Sequence, residues 1–308
     1  MMELHLLLLA LRIVLILYLQ KQKAKPVENL QPPGLPFIGN LHQFDGQYPH
    51  KYLYNLSKQY GPFMSMKLGY RPVLVISSAD MVEQIMKSHD IVFSGRPRLV
   101  SLQRLSYNDL DVTFSTYSNM WREMRKICII SLFSLKQFHR CFIPECKDEV
   151  SRMIKKIGGD TSQSRITDLS EMAVPFTSNT ICRVAFGKRG GDDWTVRGWF
   201  FDLMRETQAL AGGFFLEDYL PSLRWIDRQT GMAGRLEKNF RDLDSFYQEL
   251  IEEHLDSKRP KSMEGDILDS LLGLKRDGSS SVDLTLDHIK ALLMVILSSS
   301  FSNYSFVF

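Results

Sequence analysis

Trp121-Arg122-Glu123-Met124-Arg125-Lys126 reads as part of a helix running from Met120 to Phe133. Trp121 and Arg125 are four residues apart, so they project from one face together with Met124 and Cys128. An arginine on an apolar face is expensive to bury without a counter-charge, and an anion is expected to meet Arg125. A carboxylate from elsewhere in the fold would serve, and so would the carboxylate of a ligand.

Helical signals dominate after this stretch. Pro144 stands where a first helical position would be, with Val150, Met153, Ile154 and Ile157 facing inward. A helix capped by Asp168 or Ser170 is expected to be interrupted by Pro175 and to stop near Gly187. Asp193 to Leu210 forms another, ended by Gly212-Gly213. The segment Phe214 to Asp227 reads as an apolar loop. Leu236, Phe240, Leu243, Phe246, Leu250 and Ile251 place one apolar stripe on a long helix reaching His254. Leu284 to Leu297 is apolar on nearly all sides, which implies burial at a centre, and the pattern collapses after it.

Before the tryptophan the signals differ. Phe63 to Leu68 and Val73 to Ile76 read as a β-hairpin around Gly69-Tyr70-Arg71-Pro72. A short helix is expected over His50 to Gln59, and Ser77 or Ser78 caps another. Val92 to Tyr117 is irregular, and an irregular stretch of that length in a compact domain is usually functional or disordered. The chain opens on an apolar run, Leu6 to Leu19, followed by Lys21, Lys23 and Lys25 and by Pro32-Pro33-Gly34-Leu35-Pro36-Phe37-Ile38-Gly39-Asn40. Leu4 to Leu19 would span roughly 24 Å as a helix, a little short of a thin endoplasmic-reticulum bilayer, with Arg12 snorkelling to an interface. The lysines place the following domain on the cytoplasmic side. A cleaved secretory signal is the other reading of the run, although Tyr18-Leu19-Gln20-Lys21 offers no small-residue cleavage site. The expected organisation is an anchor with basic flank over 1–25, a proline-rich hinge over 26–40, an enzyme-type domain over 41–294 and an aberrant tail over 295–308.

With 308 residues, 44% hydrophobic, the chain can bury a large core. A net charge of +3 does not argue for nucleic acid. Cys128, Cys141, Cys146 and Cys182 contain no C-x-x-C pair, and His139 with Cys141 and Cys146 lacks a fourth ligand, so no metal site is expected. Phosphate-binding, nucleophile-elbow and His-Glu-x-x-His motifs are absent from the sequence.

In this order the motifs resemble the microsomal cytochrome P-450 family of heme-thiolate monooxygenases, and its plant branch in particular. The likeness rests on the anchor with Pro32 to Asn40, Tyr60-Gly61-Pro62 with its hairpin, Phe93-Ser94-Gly95-Arg96-Pro97, Trp121 to Lys126, and Asp218-Tyr219-Leu220-Pro221-Ser222-Leu223-Arg224-Trp225-Ile226-Asp227. The resemblance implies a mainly α fold with a small β-sheet region, the N-terminal part of the family fold preceded by a membrane-anchor helix. It implies a heme whose propionates are bonded by Trp121 and Arg125, and by Arg96 as in some members. It implies a substrate loop over Leu99 to Thr116, with Leu102, Leu105, Tyr107 and Phe114 toward the pocket, and further pocket wall at Leu210, Phe214 and Phe215. Arg122 and Lys126, on the other side of the helix, match the basic surface offered to an NADPH-dependent flavoprotein reductase, where a solvated helix face is the alternative. The expected function is oxidation of a small lipophilic metabolite with dioxygen at the endoplasmic-reticulum membrane.

The family's axial ligand is a cysteine in a Phe-x-x-Gly-x-Arg-x-Cys-x-Gly loop, whose sulfur donates electron density toward O–O cleavage. None of the four cysteines has those neighbours, so no residue here is expected to bind the metal. From this absence the chain is expected to be truncated, inactive as it stands and marginally folded; the other expectation is a noncatalytic isoform that associates with the reductase or with full-length partners.

Overall fold

A computed structural model describes residues 31–46, 48–132, 142–187, 194–259, 265–278 and 282–302. The predicted anchor and the first residues of the hinge lie outside the described residues, as do His139 and Cys141. Among the described residues no helix is long and apolar enough to cross a membrane.

In chain order the elements are α1 (Pro49–Tyr60), β1 (Phe63–Leu68), β2 (Arg71–Ile76), α2 (Ala79–Ser88), α3 (Asp90–Phe93), α4 (Val100–Leu105) and α5 (Asn119–Ile127). A π-helical stretch, Cys128–Leu132, extends α5. There follow α6 (Ile143–Ser162), α7 (Leu169–Phe186), α8 (Trp194–Ala211), α9 (Leu216–Tyr219), α10 (Arg224–Gln229), α11 (Met232–Leu255), α12 (Ile267–Asp277) and α13 (Leu286–Ser302). They form two compact units, Met1–Phe93 with Leu216–Asp227, and Ser94–Phe215 with Arg228–Phe308.

The first unit is built on the predicted hairpin. β1 and β2 pair antiparallel from Phe63 opposite Ile76 to Leu68 opposite Arg71. Alternation turns Met64, Met66 and Leu68 inward. Gly69 takes a positive φ of 60° at the turn, and a Cβ there would lie 2.2 Å from the Tyr219 carbonyl oxygen, so only glycine fits. The proline-rich segment folds back on the sheet edge through Asn40, whose Nδ2 donates to the carbonyls of Pro32 and Pro33 while its Oδ1 accepts from Lys67 N–H. Ser78 caps α2 by accepting from Met81 N–H, as expected of serine at that position. The segment read as a loop from Phe214 to Asp227 contains α9 and the start of α10, and the Asp227 carboxylate holds the amides of Leu216 and Glu217 at 3.0 and 2.8 Å.

The second unit is helical. α13 carries the apolar surface predicted for it, with Ile289, Ala291, Leu292, Leu293 and Leu297 at most 1% exposed. It packs against α7 and α8, while α11 lies on α8 and α6 on α7. Two expectations are corrected here. Pro175 does not interrupt its helix: α7 is continuous, because packing along its length outweighs the one hydrogen bond a proline removes. Nor does helical structure stop at Leu297. α13 continues to Ser302, with Gln208 Nε2 donating to the Ser298 carbonyl at 2.7 Å, since backbone bonding needs no apolar side chains. A buried Arg183 on α7 joins three carboxylates of α6, Glu145, Asp148 and Glu149, at 2.9, 2.6 and 3.2 Å.

Candidate functional site

α5 begins at Ser118, whose hydroxyl accepts from Trp121 N–H. Its buried stripe is Met124, Ile127 and Cys128. Arg125 sits about 100° around the helix from Met124, and its guanidinium reaches solvent. The expected burial of Arg125 is therefore corrected: the residue is exposed. It lies over the Trp121 ring, 5.2 Å from the centroid, a cation–π contact. Among the described residues Arg125 has no carboxylate partner, which leaves its donors open to an external anion. The Trp121 indole N–H, by contrast, is committed within the chain, donating to the Val112 carbonyl at 2.9 Å.

Arg96 converges on the same loop. Its Nε donates to the carbonyl of Thr113 at 3.2 Å, one residue beyond the acceptor of Trp121. Adjacent carbonyls thus tether two of the three predicted cradle residues, and the third is stacked on one of them. This set of two exposed guanidiniums beside an aromatic face fits a group that presents carboxylates, as heme propionates would.

The loop itself is set by a residue that motif reading passed over. Asp111 is 1% exposed, and its Oδ1 accepts from the amides of Phe114 and Ser115 at 3.0 and 3.1 Å. Its Oδ2 is buried and has no partner among the described residues. Burial pushes the carboxyl up to about 6 against the pull of those amides. No side-chain pattern marks it in the sequence, because its partners are backbone amides.

The segment predicted to cover a substrate is partly helical, as α4, and docks on α11. Arg104 makes a two-pronged pair with Glu237 and stacks on Phe240. Tyr107 packs on the same ring, and its hydroxyl donates to Asp244 Oδ1 at 2.9 Å, the oxygen that also accepts from Lys290 Nζ at 2.7 Å. Burial first, then Asp244, pushes the Tyr107 phenol above its ordinary range. Tyr107, Asn108 and Asp109 all adopt positive φ, at 54°, 62° and 66°. Of the predicted pocket residues, Leu105, Leu210 and Phe215 are buried in the main hydrophobic cluster, Phe114 packs against it, Leu102 is half-buried and Phe214 is exposed. Arg122 and Lys126 are exposed, with Lys126 3.6 Å from Glu123.

Cys128 is a buried thiol, and burial pushes its titration up to about 11. His254, Asp266 and Asp269 cluster elsewhere, and the guanidinium of Arg259, bonded to both carboxylates, already supplies positive charge there.

Comparison with known proteins fits this geometry. The cytochrome P450 family model matches residues 30–307. The 5-OH-xanthotoxin synthase of Pastinaca sativa is 41% identical over 268 residues, 87% of this chain and 52% of that protein. Strychnine-11-hydroxylase of Strychnos nux-vomica is 40% identical over 287 residues, 91% of this chain and 56% of the relative. Cytochrome P450 71A9 of Glycine max is 41% identical over 295 residues, 93% and 58% respectively. The chain spans about half the length of the curated relatives it matches. A zebra fish cytochrome P450 solved with progesterone superposes with a TM-score of 0.67 at 22% identity, covering 82% of this chain and 56% of that one, a likeness of fold. With a helical fold that carries a small antiparallel sheet, the family model and these relatives, the chain belongs to the cytochrome P450 family.

Proposed function

We propose that the protein is part of a plant-type monooxygenase and that this chain carries the propionate-binding side of its heme cradle and its substrate-covering loop. Heme is the family's cofactor, and when bound through a thiolate it supplies the activation of dioxygen. Arg125 and Arg96 hold the carboxylate end of that group, and Trp121 fixes Arg125 through its ring face. The observation that carries this reading is the exposed Arg125 guanidinium, stacked on Trp121 and without a carboxylate partner among the described residues. Cys128 is a protonated thiol at neutral pH, and Cys128, Cys141, Cys146 and Cys182 all lack the neighbours of the family's ligand loop, so iron ligation is assigned to none of them.

The substrate is a small lipophilic plant metabolite, a class favoured by the relatives and by the apolar character of Leu102, Leu105, Phe114, Leu210, Phe214 and Phe215. Electrons come from an NADPH-dependent flavoprotein reductase, with Arg122 and Lys126 as the exposed charges that meet it. The apolar run before Lys21 anchors the protein in the endoplasmic-reticulum membrane with the enzyme facing the cytoplasm.

Titration of the full chain with hemin and with its dimethyl ester tests the cradle. Hemin is expected to bind more tightly than the ester by about tenfold or more, the size of one charge-assisted hydrogen bond. Arg125→Ala is expected to abolish that preference and Arg125→Lys to retain part of it. Equal binding of hemin and ester by the unmodified chain would overturn the assignment.

A further inference from the structure

We propose that Asp111 is the positioning residue of the cradle, a buried carboxylate that sets both arginines through the turn it closes. The inference rests on the cradle reading of Arg125 and Arg96 and adds to it a residue that touches neither. Asp111 Oδ1 gathers the amides of Phe114 and Ser115, and the Ser115 hydroxyl donates back to the Asp111 carbonyl. The five residues are thereby closed into one turn with Val112 and Thr113 at its apex. The apex carbonyls are the acceptors for Trp121 Nε1 and Arg96 Nε, at 2.9 and 3.2 Å. Trp121 in turn carries the Arg125 guanidinium on its face. One carboxylate therefore governs the orientation of two cations that it does not contact.

A neutral cap would close the same turn with weaker bonds, and the second carboxylate oxygen, buried and unpartnered among the described residues, marks a group whose ionisation alters its hold on the amides. The charged groups on this loop are Asp109, which pairs with Arg98 at 3.2 Å, and Arg96 at the Thr113 carbonyl. Burial raises the carboxyl into the range where mild acid protonates it, and Asp109 adds to that rise. Protonation weakens the amide bonds, loosens the apex and releases the Trp121 indole.

The test follows the Trp121 indole N–H resonance of the full chain, assigned with Trp121→Phe, from pH 5 to 8. The resonance is expected to move with a midpoint near 6, and Asp111→Asn, which keeps the shape of the cap, is expected to remove that midpoint. In the same variant the preference for hemin over its dimethyl ester is expected to fall by about tenfold, toward the value for Arg125→Ala. An indole resonance that does not titrate, or that titrates unchanged in Asp111→Asn, would overturn the proposal. If the midpoint is lost in Asp111→Asn while the unmodified chain shows no preference for hemin, the positioning role stands and the heme reading fails. Asp111→Ala is not needed, so the outcome does not depend on a variant that removes the cap.

Discussion

Asn40 is the most sharply testable residue in the first unit. It is 2% exposed, and every bonding position of its side chain amide that the fold uses is assigned. Nδ2 donates to the carbonyls of Pro32 and Pro33, both at 3.2 Å, and Oδ1 accepts from Lys67 N–H at 3.0 Å. Its own backbone N–H donates to the Lys67 carbonyl, which no side-chain change removes. Asn40→Ala deletes three bonds of roughly 0.5–1.5 kcal/mol net each, and the two long donor bonds belong at the lower end, so the loss is about 2–3 kcal/mol. Asn40→Asp is nearly isosteric and keeps the Lys67 bond. It places a second oxygen against two carbonyl oxygens, so at neutral pH it is expected to cost at least as much as alanine. In acid the new carboxyl can donate to one carbonyl, and the aspartate variant is expected to recover above the alanine variant. Hydrogen exchange at the Asn40 amide, whose bond to the Lys67 carbonyl persists in every variant, reads this locally, without requiring the two units to unfold together. About 2 kcal/mol corresponds to roughly 30-fold faster exchange in Asn40→Ala. Protection within about threefold of the parent, or an aspartate variant more protected than alanine at pH 7, would refute the reasoning.

Three further outcomes follow from the same structure. Gly69→Ala should cost more than Gly61→Ala, because both carry positive φ but only Gly69 would place a Cβ 2.2 Å from a backbone oxygen; equal exchange rates in the hairpin amides would contradict the close approach. Tyr247→Phe should stabilise the second unit by about 1 kcal/mol, since the Tyr247 hydroxyl is buried without a partner among the described residues, and a lowered urea midpoint would show that a partner exists. Asp111, with its folded-state carboxyl raised from 3.8 to about 6, contributes stability that is present below pH 4 and lost as pH rises through 6. The unfolding free energy should therefore fall by up to about 3 kcal/mol more in the parent than in Asp111→Asn between those limits, and parallel pH profiles would contradict the shift.

The hairpin, the Ser78 cap and the apolar faces of α11 and α13 were legible because each is written in local chemistry: alternation, a capping hydroxyl, helical periodicity. Helix α5 was legible in position but not in burial. Four-residue spacing puts Arg125 beside Trp121, yet a helix face has an edge as well as a centre, and only the neighbouring elements decide which side chain meets solvent. Pro175 misled because the local penalty of a proline is small beside tertiary packing on α7. The bonds from Tyr107 to Asp244 and from Arg104 to Glu237 join residues far apart in the chain, and no periodicity encodes them. Asp111 went unread for another reason: its partners are backbone amides, which every residue possesses.

The first unit is assembled from two stretches of chain, Met1–Phe93 and Leu216–Asp227. The second stretch brings Asp218, whose carboxylate meets Arg71 at 3.6 Å, and the Tyr219 carbonyl, which accepts from Tyr70 N–H at 2.9 Å. During synthesis the hairpin emerges first and its completing segment follows roughly 140–150 residues later, a delay of roughly 7–30 s at the usual speed of the ribosome. Throughout that interval the Tyr70 N–H lacks its Tyr219 acceptor and Arg71 lacks the Asp218 carboxylate. A stall between those points leaves an incomplete sheet edge as an exposed, association-prone surface.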